Sequence, residues 1–200
     1  MLVEGAFGYG EHTVRTARLI EVGSIRRQAR GDYTANQQSG LVRVSFAVPV
    51  RRGFAVAPFI ETRLSQVTRR GFDETGAGSV NLTGVDALEV QSLRTLVGIH
   101  TSSASRLFGA RLEPSFSLAW TREGMDTRSG MRAALTGMTT RPGFQAFTLN
   151  GAPDARNGAL IDAGASVVLA SHGRAFVAYD GLLTEIRREH SIAAGLRMAW

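Results

Sequence analysis

The stretch RLEPSFSLAWT, residues 111–121, alternates apolar and polar side chains along its whole length. One face carries Leu112, Pro114, Phe116, Leu118 and Trp120, and the other carries Arg111, Glu113, Ser115, Ser117, Ala119 and Thr121. A period of two residues is typical of a β-strand whose two faces meet different surroundings. The stretch therefore predicts a strand, and the fold depends on which of its two faces meets water.

Seven further stretches repeat this alternation, whereas helical periodicity is weak almost everywhere. They are VEGAFGYG at 3–10, LVRVSFAVPV at 41–50, FAVAPFIETRLS at 54–65, QSLRTLVGIHT at 91–101, LIDAGASVVLA at 160–170, RAFVAYDGLL at 174–183 and SIAAGLRMAW at 191–200. Together they predict an all-β protein of about eight antiparallel strands, with residues 1–200 as one domain.

The connections between these strands alternate in length. RRG at 51–53, SASR at 103–106 and SHG at 171–173 are tight, whereas the stretches near 70–87 and 123–156 are long and rich in Gly, Thr, Asn and Asp. Short turns on one side and long loops on the other are typical of a transmembrane β-barrel with periplasmic turns and extracellular loops. The mean hydropathy of −0.03 does not contradict this, because barrel strands hide their apolar residues among polar ones.

The charged residues fix which face meets lipid in such a barrel. An Arg on the lipid face costs about 2–4 kcal/mol near the midplane, so the charged face should line a polar lumen. The predicted lumen-facing charges are Glu4, Arg43, Glu61, Arg63, Arg94, Arg111, Glu113, Asp162, Asp180 and Arg197. Any one of them could instead pair across strands and only hold the barrel's shape.

A soluble β-sandwich or lipocalin-like barrel alternates in the same way, with the apolar face turned inward. Aromatic residues near strand ends favour the membrane barrel, since they are typical of interfacial girdles; they are Tyr9, Trp120, Tyr179 and Trp200. Pro58 and Pro114 each follow a tight turn by a few residues, and proline removes a ladder donor, so we expect both at edge or bulge positions.

Several functions are disfavoured by the sequence. Cysteine is absent, and all 23 basic residues are arginines scattered among acids rather than clustered on one surface as nucleic-acid binding requires. The four histidines, His12, His100, His172 and His190, are accompanied by no G-x-S-x-G elbow and no metal-ligand spacing. The sequence therefore predicts no catalytic, cofactor-binding or metal-binding residues.

The last segment resembles the C-terminal insertion signal of bacterial outer-membrane barrels. Its alternate positions are Ile192, Ala194, Leu196, Met198 and Trp200, where the final Trp replaces the usual Phe. More specifically, GFDETGAGSVNLTG at 71–84 resembles a segment of the autotransporter β-domain, the translocator of type V secretion, with Phe72, Glu74, Gly76 and Leu82 at the motif positions. The stretches 92–100, 114–120 and 176–200 extend the resemblance over most of the chain.

The resemblance implies a barrel in the Gram-negative outer membrane that is inserted by the barrel-assembly machinery and helps to export its own N-terminal passenger. The family barrel has twelve strands and a helix that plugs the pore, so we expect this chain to begin at about the fifth strand. A misplaced start codon, a truncated gene and a real shorter barrel are the three explanations left open. The alternative function is a small closed barrel that serves as an anchor or adhesin without a passenger.

Overall fold

The computed structural model describes residues 1–107, 109–139, 143, 146–170 and 173–198. Its main element is an antiparallel sheet of eight long strands, which confirms the predicted all-β class. The strands are β1 (Leu2–Val22), β2 (Ile25–Ser45), β3 (Phe54–Arg69), β4 (Leu88–Ser103), β5 (Ala110–Glu123), β6 (Asn157–Ala170), β7 (Gly173–Thr184) and β8 (Arg188–Met198). Each strand pairs with its neighbours in the sequence, from β1 to β8.

The sheet curves into a half-barrel. Among the described residues no pairing joins β1 to β8, so these two strands are the edges of the sheet. The short strand Val48–Arg51 continues β2 alongside β3, and Ser105–Leu107 continues β4 alongside β5.

The two faces of the half-barrel differ as the alternation predicts, but in the sense opposite to that of a soluble protein. In the centre of the polar face, Glu61 and Ser117 are buried in the concavity, at 3% and 9% exposed. Those of the apolar face are open, with Val97 49% and Trp120 47% exposed. Since soluble proteins bury their apolar face, this arrangement belongs to a sheet that meets lipid on its convex side.

The outward apolar rows have the length that a membrane requires. They run over 56–64 in β3, 112–120 in β5 and 159–167 in β6. A transmembrane strand tilted in the bilayer needs about 9–11 residues, so each row is long enough to cross it.

The apolar band crosses the pairing ladder obliquely. Val3 of β1, Trp120 of β5 and Arg188 of β8 lie in one continuous row of paired residues. From that row toward the long loops, the outer face of β1 stays apolar as far as Tyr9. In β8 the outer face becomes apolar only at Ile192, which lies on the short-turn side of the row. Tilted strands produce this offset, and tilt is what barrel geometry demands.

Both prolines lie in interior strands, so the prediction of edge or bulge positions was wrong. Pro58 pairs with Ile99 on one side, and on the other side it faces the two-residue gap between β2 and its continuation. Pro114 faces the corresponding gap in the ladder between β4 and β5, which lies between the pairs Ser102–Ser115 and Ser105–Leu112. Proline has no N–H to donate, so the ladder is interrupted opposite it without an extra residue.

The first hairpin is much longer than the alternation predicts. β1 and β2 stay paired from Leu2 and Ser45 up to Val22 and Ile25, with the turn at Gly23 in a positive-φ conformation. The twelve residues of β1 beyond Gly10 therefore carry the hairpin about 40 Å past the apolar band. The prediction of a tight turn at SASR was wrong, because Ser105–Leu107 forms a strand in which Leu107 pairs with Ala110.

The described residues of the two long loops contain strands and 3₁₀ turns. Strands Phe147–Asn150, Gly130–Leu135 and Leu82–Thr83 form a separate three-stranded sheet that joins them. Short 3₁₀ turns at Gly78–Val80 and Thr136–Met138 and the strand Glu74–Thr75 complete them.

In the described part of the chain, no helix has the length and apolar character needed to cross a membrane.

A charge placed on the outer face should destabilise the fold more than the same charge on the inner face. We expect Val97→Arg, in the middle of an outward row, to lower the unfolding free energy in lipid vesicles by about 2–4 kcal/mol. Ser115→Arg is the matched control, because Ser115 lines an open cavity on the inner face. Urea titration in vesicles measures both, and a larger loss for Ser115→Arg would contradict the orientation.

Candidate functional site

The centre of the inner face is a charged cluster around Glu61. Its buried carboxylate accepts hydrogen bonds from Arg63 and, at 3.5 Å, from Arg43 on the neighbouring strand. The Arg43 guanidinium also lies 3.8 Å above the ring of Phe59. Phe59 packs with Leu96, Ala119 and Leu160 into a small apolar patch on this otherwise polar surface. Glu61 thus links β2 and β3 on the concave side.

A second cluster lies where β4 and β5 leave the sheet toward the long loops. Glu123 is 2% exposed and accepts hydrogen bonds from Ser92 Oγ at 2.7 Å and from the Leu93 N–H at 2.8 Å. Arg94 contacts Glu123 at 3.7 Å and Asp154, in the loop 124–156, at 3.1 Å. These contacts tie the returning end of that loop to the sheet.

The remaining charges of the inner face lie in register across strands. Glu4 is opposite Arg43, and Asp162 is opposite Asp180. Arg43 and Arg63 act electrostatically on Asp162 although other strands separate them, as expected on a concave surface. Toward the short turns, Glu113 pairs with Arg111 at 2.7 Å and with Arg174 at 3.0 Å, and Arg197 is opposite Arg174.

All ten charges expected in the lumen therefore lie on one face of the sheet, the concave one. They are Glu4, Arg43, Glu61, Arg63, Arg94, Arg111, Glu113, Asp162, Asp180 and Arg197. Their role as the lining of a closed bore stays a prediction.

Two histidines take part in side-chain hydrogen bonds. His100 Nδ1 lies 2.8 Å from Ser117 Oγ on the inner face, and His190 Nδ1 lies 2.7 Å from the Tyr179 hydroxyl on the outer face. Within the described residues, no group of three or more His, Asp or Glu side chains is arranged to hold a metal ion. His172 lies outside the described residues.

Four positions of the predicted insertion signal lie along β8. Ile192, Leu196 and Met198 are all more than 70% exposed on the outer face, and Ala194 lies between them on the same side. Trp200 lies outside the described residues. The row is apolar and open, as a lipid-facing row would be, and its role in insertion stays a prediction.

The motif segment 71–84 packs on the inner face of the projecting β1–β2 hairpin. The Phe72 ring stacks on Tyr33, with centroids 4.9 Å apart, above Gly31. A Cβ at Gly31 would come within 2.6 Å of that ring, so only glycine leaves room for it. Phe72, Tyr33 and Gly31 thus form the apolar part of a packed contact between the loop and the hairpin, called the joint below.

Glu74 of the motif makes the polar half of this joint. Its carboxylate binds Arg18 of β1, with 2.5 Å between Arg18 Nη2 and Oε2, and accepts the Leu82 N–H at 2.7 Å. Arg18 and Arg27 also donate to the carbonyls of Val80 and Ala77, at 3.0 and 2.9 Å. The hairpin arginines thus satisfy the loop's backbone as well as its acid.

Gly76 and Leu82 occupy the other two motif positions. Gly76 has φ +95°, and a Cβ there would lie 2.7 Å from the Gln28 carbonyl oxygen. Glycine is needed for both the backbone conformation and the close approach. Leu82 supplies the N–H that Glu74 accepts and pairs with Leu135 in the loop sheet.

Two carboxylates of this segment have altered acidity. Burial raises the pKa of Glu74, but hydrogen bonds from Arg18 and from the Leu82 N–H outweigh it, so the pKa lies below its ordinary value. Hydrogen bonds from Thr83 Oγ1 and from the Gly84 N–H lower the pKa of Asp73. Both carboxylates therefore form these contacts in their ionised state.

The sequence predicts the motif but not the surface that receives it. Arg18, Arg27, Gly31 and Tyr33 all lie in the stretch between the first two predicted strands, where both faces are polar and apolar alternation fails. A signal was present, because small residues recur at Ala29, Gly31 and Ala35. Small alternate residues in a strand indicate close approach of another backbone.

Removing the space above Gly31 should release the motif segment. We expect Gly31→Ala to displace the Phe72 ring and to raise the protease sensitivity of residues 70–87 severalfold. Gly40→Ala is the matched control, because a Cβ at Gly40 meets nothing within 4 Å in the same strand. Limited proteolysis of the folded protein compares them, and equal cleavage in both variants would contradict the joint.

Acid should release the same segment. The depressed pKa values of Glu74 and Asp73 mean that their stabilisation is present above the ordinary values of 4.5 and 3.8 and is lost as the pH falls through the lower folded values. We expect hydrogen-exchange protection factors at the Leu82 and Gly84 amides to fall between pH 6 and pH 3. The variant Asp73→Asn/Glu74→Gln should show low protection at both pH values, and an acid-insensitive wild type would contradict the assignment.

Comparison with known proteins agrees with this geometry. A family model described as "Autotransporter beta-domain" matches residues 1–180, and a search of curated proteins finds no match. The family implies an outer-membrane translocator role in type V secretion in Gram-negative bacteria. Because the match covers most of the 200 residues, the chain belongs to the autotransporter β-domain family.

Proposed function

We propose that this domain anchors in the outer membrane and helps an N-terminal passenger to cross it. The observation that carries the proposal is the inverted placement of its faces, with buried Glu61 and Glu123 on the concave side and open Val97 and Trp120 on the convex side. Outer-membrane lipid is then the partner of the convex face, and the passenger is the partner of the concave face.

The chemistry of the concave face suits passage of an unfolded chain. Moving a backbone amide out of water without a hydrogen-bond partner costs about 2–7 kcal/mol of free energy. A path lined by Arg43, Glu61, Arg63 and Asp162 keeps water beside the chain. Most of these charges are already matched across strands, so the wall keeps its shape without binding the chain tightly.

Further partners follow from the same role. We propose that the barrel-assembly machinery recognises the outward row of β8, which begins at Ile192 and is open along its length. We propose no nucleic-acid partner and no catalytic role. The support against nucleic acid is that arginines at both ends of the sheet pair with acids, as Arg15 does with Asp32 and Arg94 with Asp154.

The test is to express the chain behind a signal peptide and an epitope-tagged passenger segment in a Gram-negative host. We expect the domain in the outer-membrane fraction, with faster gel mobility before boiling than after, and the epitope accessible to antibody on intact cells. A protein found in the soluble periplasmic fraction would overturn the proposal. Membrane insertion with the epitope always inside would favour the alternative of an anchor or adhesin that exports no passenger.

A further inference from the structure

Four arginines occupy a single pairing row at the short-turn end of the inner face. In this row Arg106 is paired with Arg111, Arg111 with Val168, Val168 with Arg174, and Arg174 with Arg197. The row crosses from the continuation of β4 to β8, and all its members lie on the same face as Glu113 and Asp162. Two of its contacts, Arg106 with Arg111 and Arg174 with Arg197, set like charges directly opposite each other.

Like charges that are directly opposite in a sheet are destabilising unless something compensates them. In the middle of this face one such arginine pair is compensated, since Arg63 opposite Arg94 has Glu61, Glu123 and Asp154 as partners. In the arginine row one carboxylate, Glu113, serves both Arg111 and Arg174. Among the described residues, Arg106 and Arg197 form no ion pair.

The row is open to a ligand. The side chains of Arg111 and Arg174 are 63% and 48% exposed. They border a cavity of about 530 Å³ that is also lined by Arg51, Ser115 and Ser166. The cavity lies beside the short turns, the end from which a chain moving toward the long loops would enter.

We propose that the arginine row binds acidic segments of the polypeptide as they enter the bore. The inference rests on the proposed function and adds the chemical class of passenger segment that the entrance favours. Carboxylates fit because guanidinium groups bind them in a bidentate manner. Lipid does not fit, because the row lies on the concave face, opposite the apolar one.

The dimensions of the row suit an extended chain. Five neighbouring strands at about 4.8 Å spacing place its ends about 19 Å apart, which an extended peptide of about six residues covers. Exposed ion pairs are individually weak, so the contacts would break and re-form as the chain advances. A segment with acids at several positions would be held near the entrance without being trapped there.

The binding test uses the full chain in lipid vesicles and a fluorescent twelve-residue glutamate-rich peptide. We expect R106Q/R111Q/R174Q/R197Q to weaken binding by about tenfold, from four exposed pairs. The matched control R15Q/R26Q/R30Q/R128Q removes the same charge from the projecting hairpin and a long loop, and should change binding by less than about twofold. Equal losses in both variants would reduce the effect to net charge and overturn the proposal.

A smaller variant separates binding from folding. R106Q/R197Q leaves both partners of Glu113 in place, so it should keep the wild-type urea midpoint while weakening peptide binding by about threefold. A lowered urea midpoint with unchanged binding would assign the row a structural role and overturn the inference.

Export in cells distinguishes failure of this inference from failure of the proposed function. Passenger segments rich in Glu and in Ser are compared at equal length. We expect the wild type to export both and R106Q/R197Q to slow only the acidic one. If the wild type exports neither segment, the proposed function fails, and the vesicle experiment still decides the inference. If R106Q/R197Q exports the acidic segment as fast as the wild type does, the inference alone fails.

Discussion

The constraint on which this structure depends is that each strand must satisfy two solvents at once. Side chains along each strand face hydrocarbon and water alternately. A shift of the pairing register by one residue would therefore exchange the two faces of a whole strand. The charges on the inner face make that shift costly, because an Arg in the middle of the apolar band costs about 2–4 kcal/mol. Register, tilt and the width of the apolar band all follow from this requirement.

In the projecting β1–β2 hairpin, lipid no longer contacts the outer face of the strands. Beyond Tyr9 the outer face of β1 becomes polar, so lipid no longer specifies its register, and a second surface is needed to keep it ordered. The motif segment supplies that surface through Phe72 on Gly31 and Glu74 on Arg18. The motif segment 71–84 is therefore a packing element. It fixes the loop against the hairpin that leaves the membrane beside it.

Alternation predicts the sheet and its faces well, because lipid and water act on every residue of a spanning strand. It predicts the extramembrane parts poorly, because their order comes from contacts distant in sequence, such as Arg18 with Glu74 and Asp154 with Arg94. Composition could not reveal these pairs, since an arginine that binds a loop and one that meets water look alike. The prediction for the two prolines was wrong for a different reason. The gaps opposite Pro58 and Pro114 are a property of the neighbouring strand, which local sequence does not record.

The charges of the inner face fall into two regimes, and the difference between them separates structure from function. In the middle and at the long-loop end, buried acids such as Glu61 and Glu123 match the arginines around them, and that matching is enough to explain why they are there. At the short-turn end the arginines outnumber their acid, lie opposite one another and stay open to solvent. Like charges that lie opposite one another do not stabilise a sheet, so stability alone does not account for this row. If an unfolded chain passes this wall, as we propose, acidic segments of that chain would supply the missing partners.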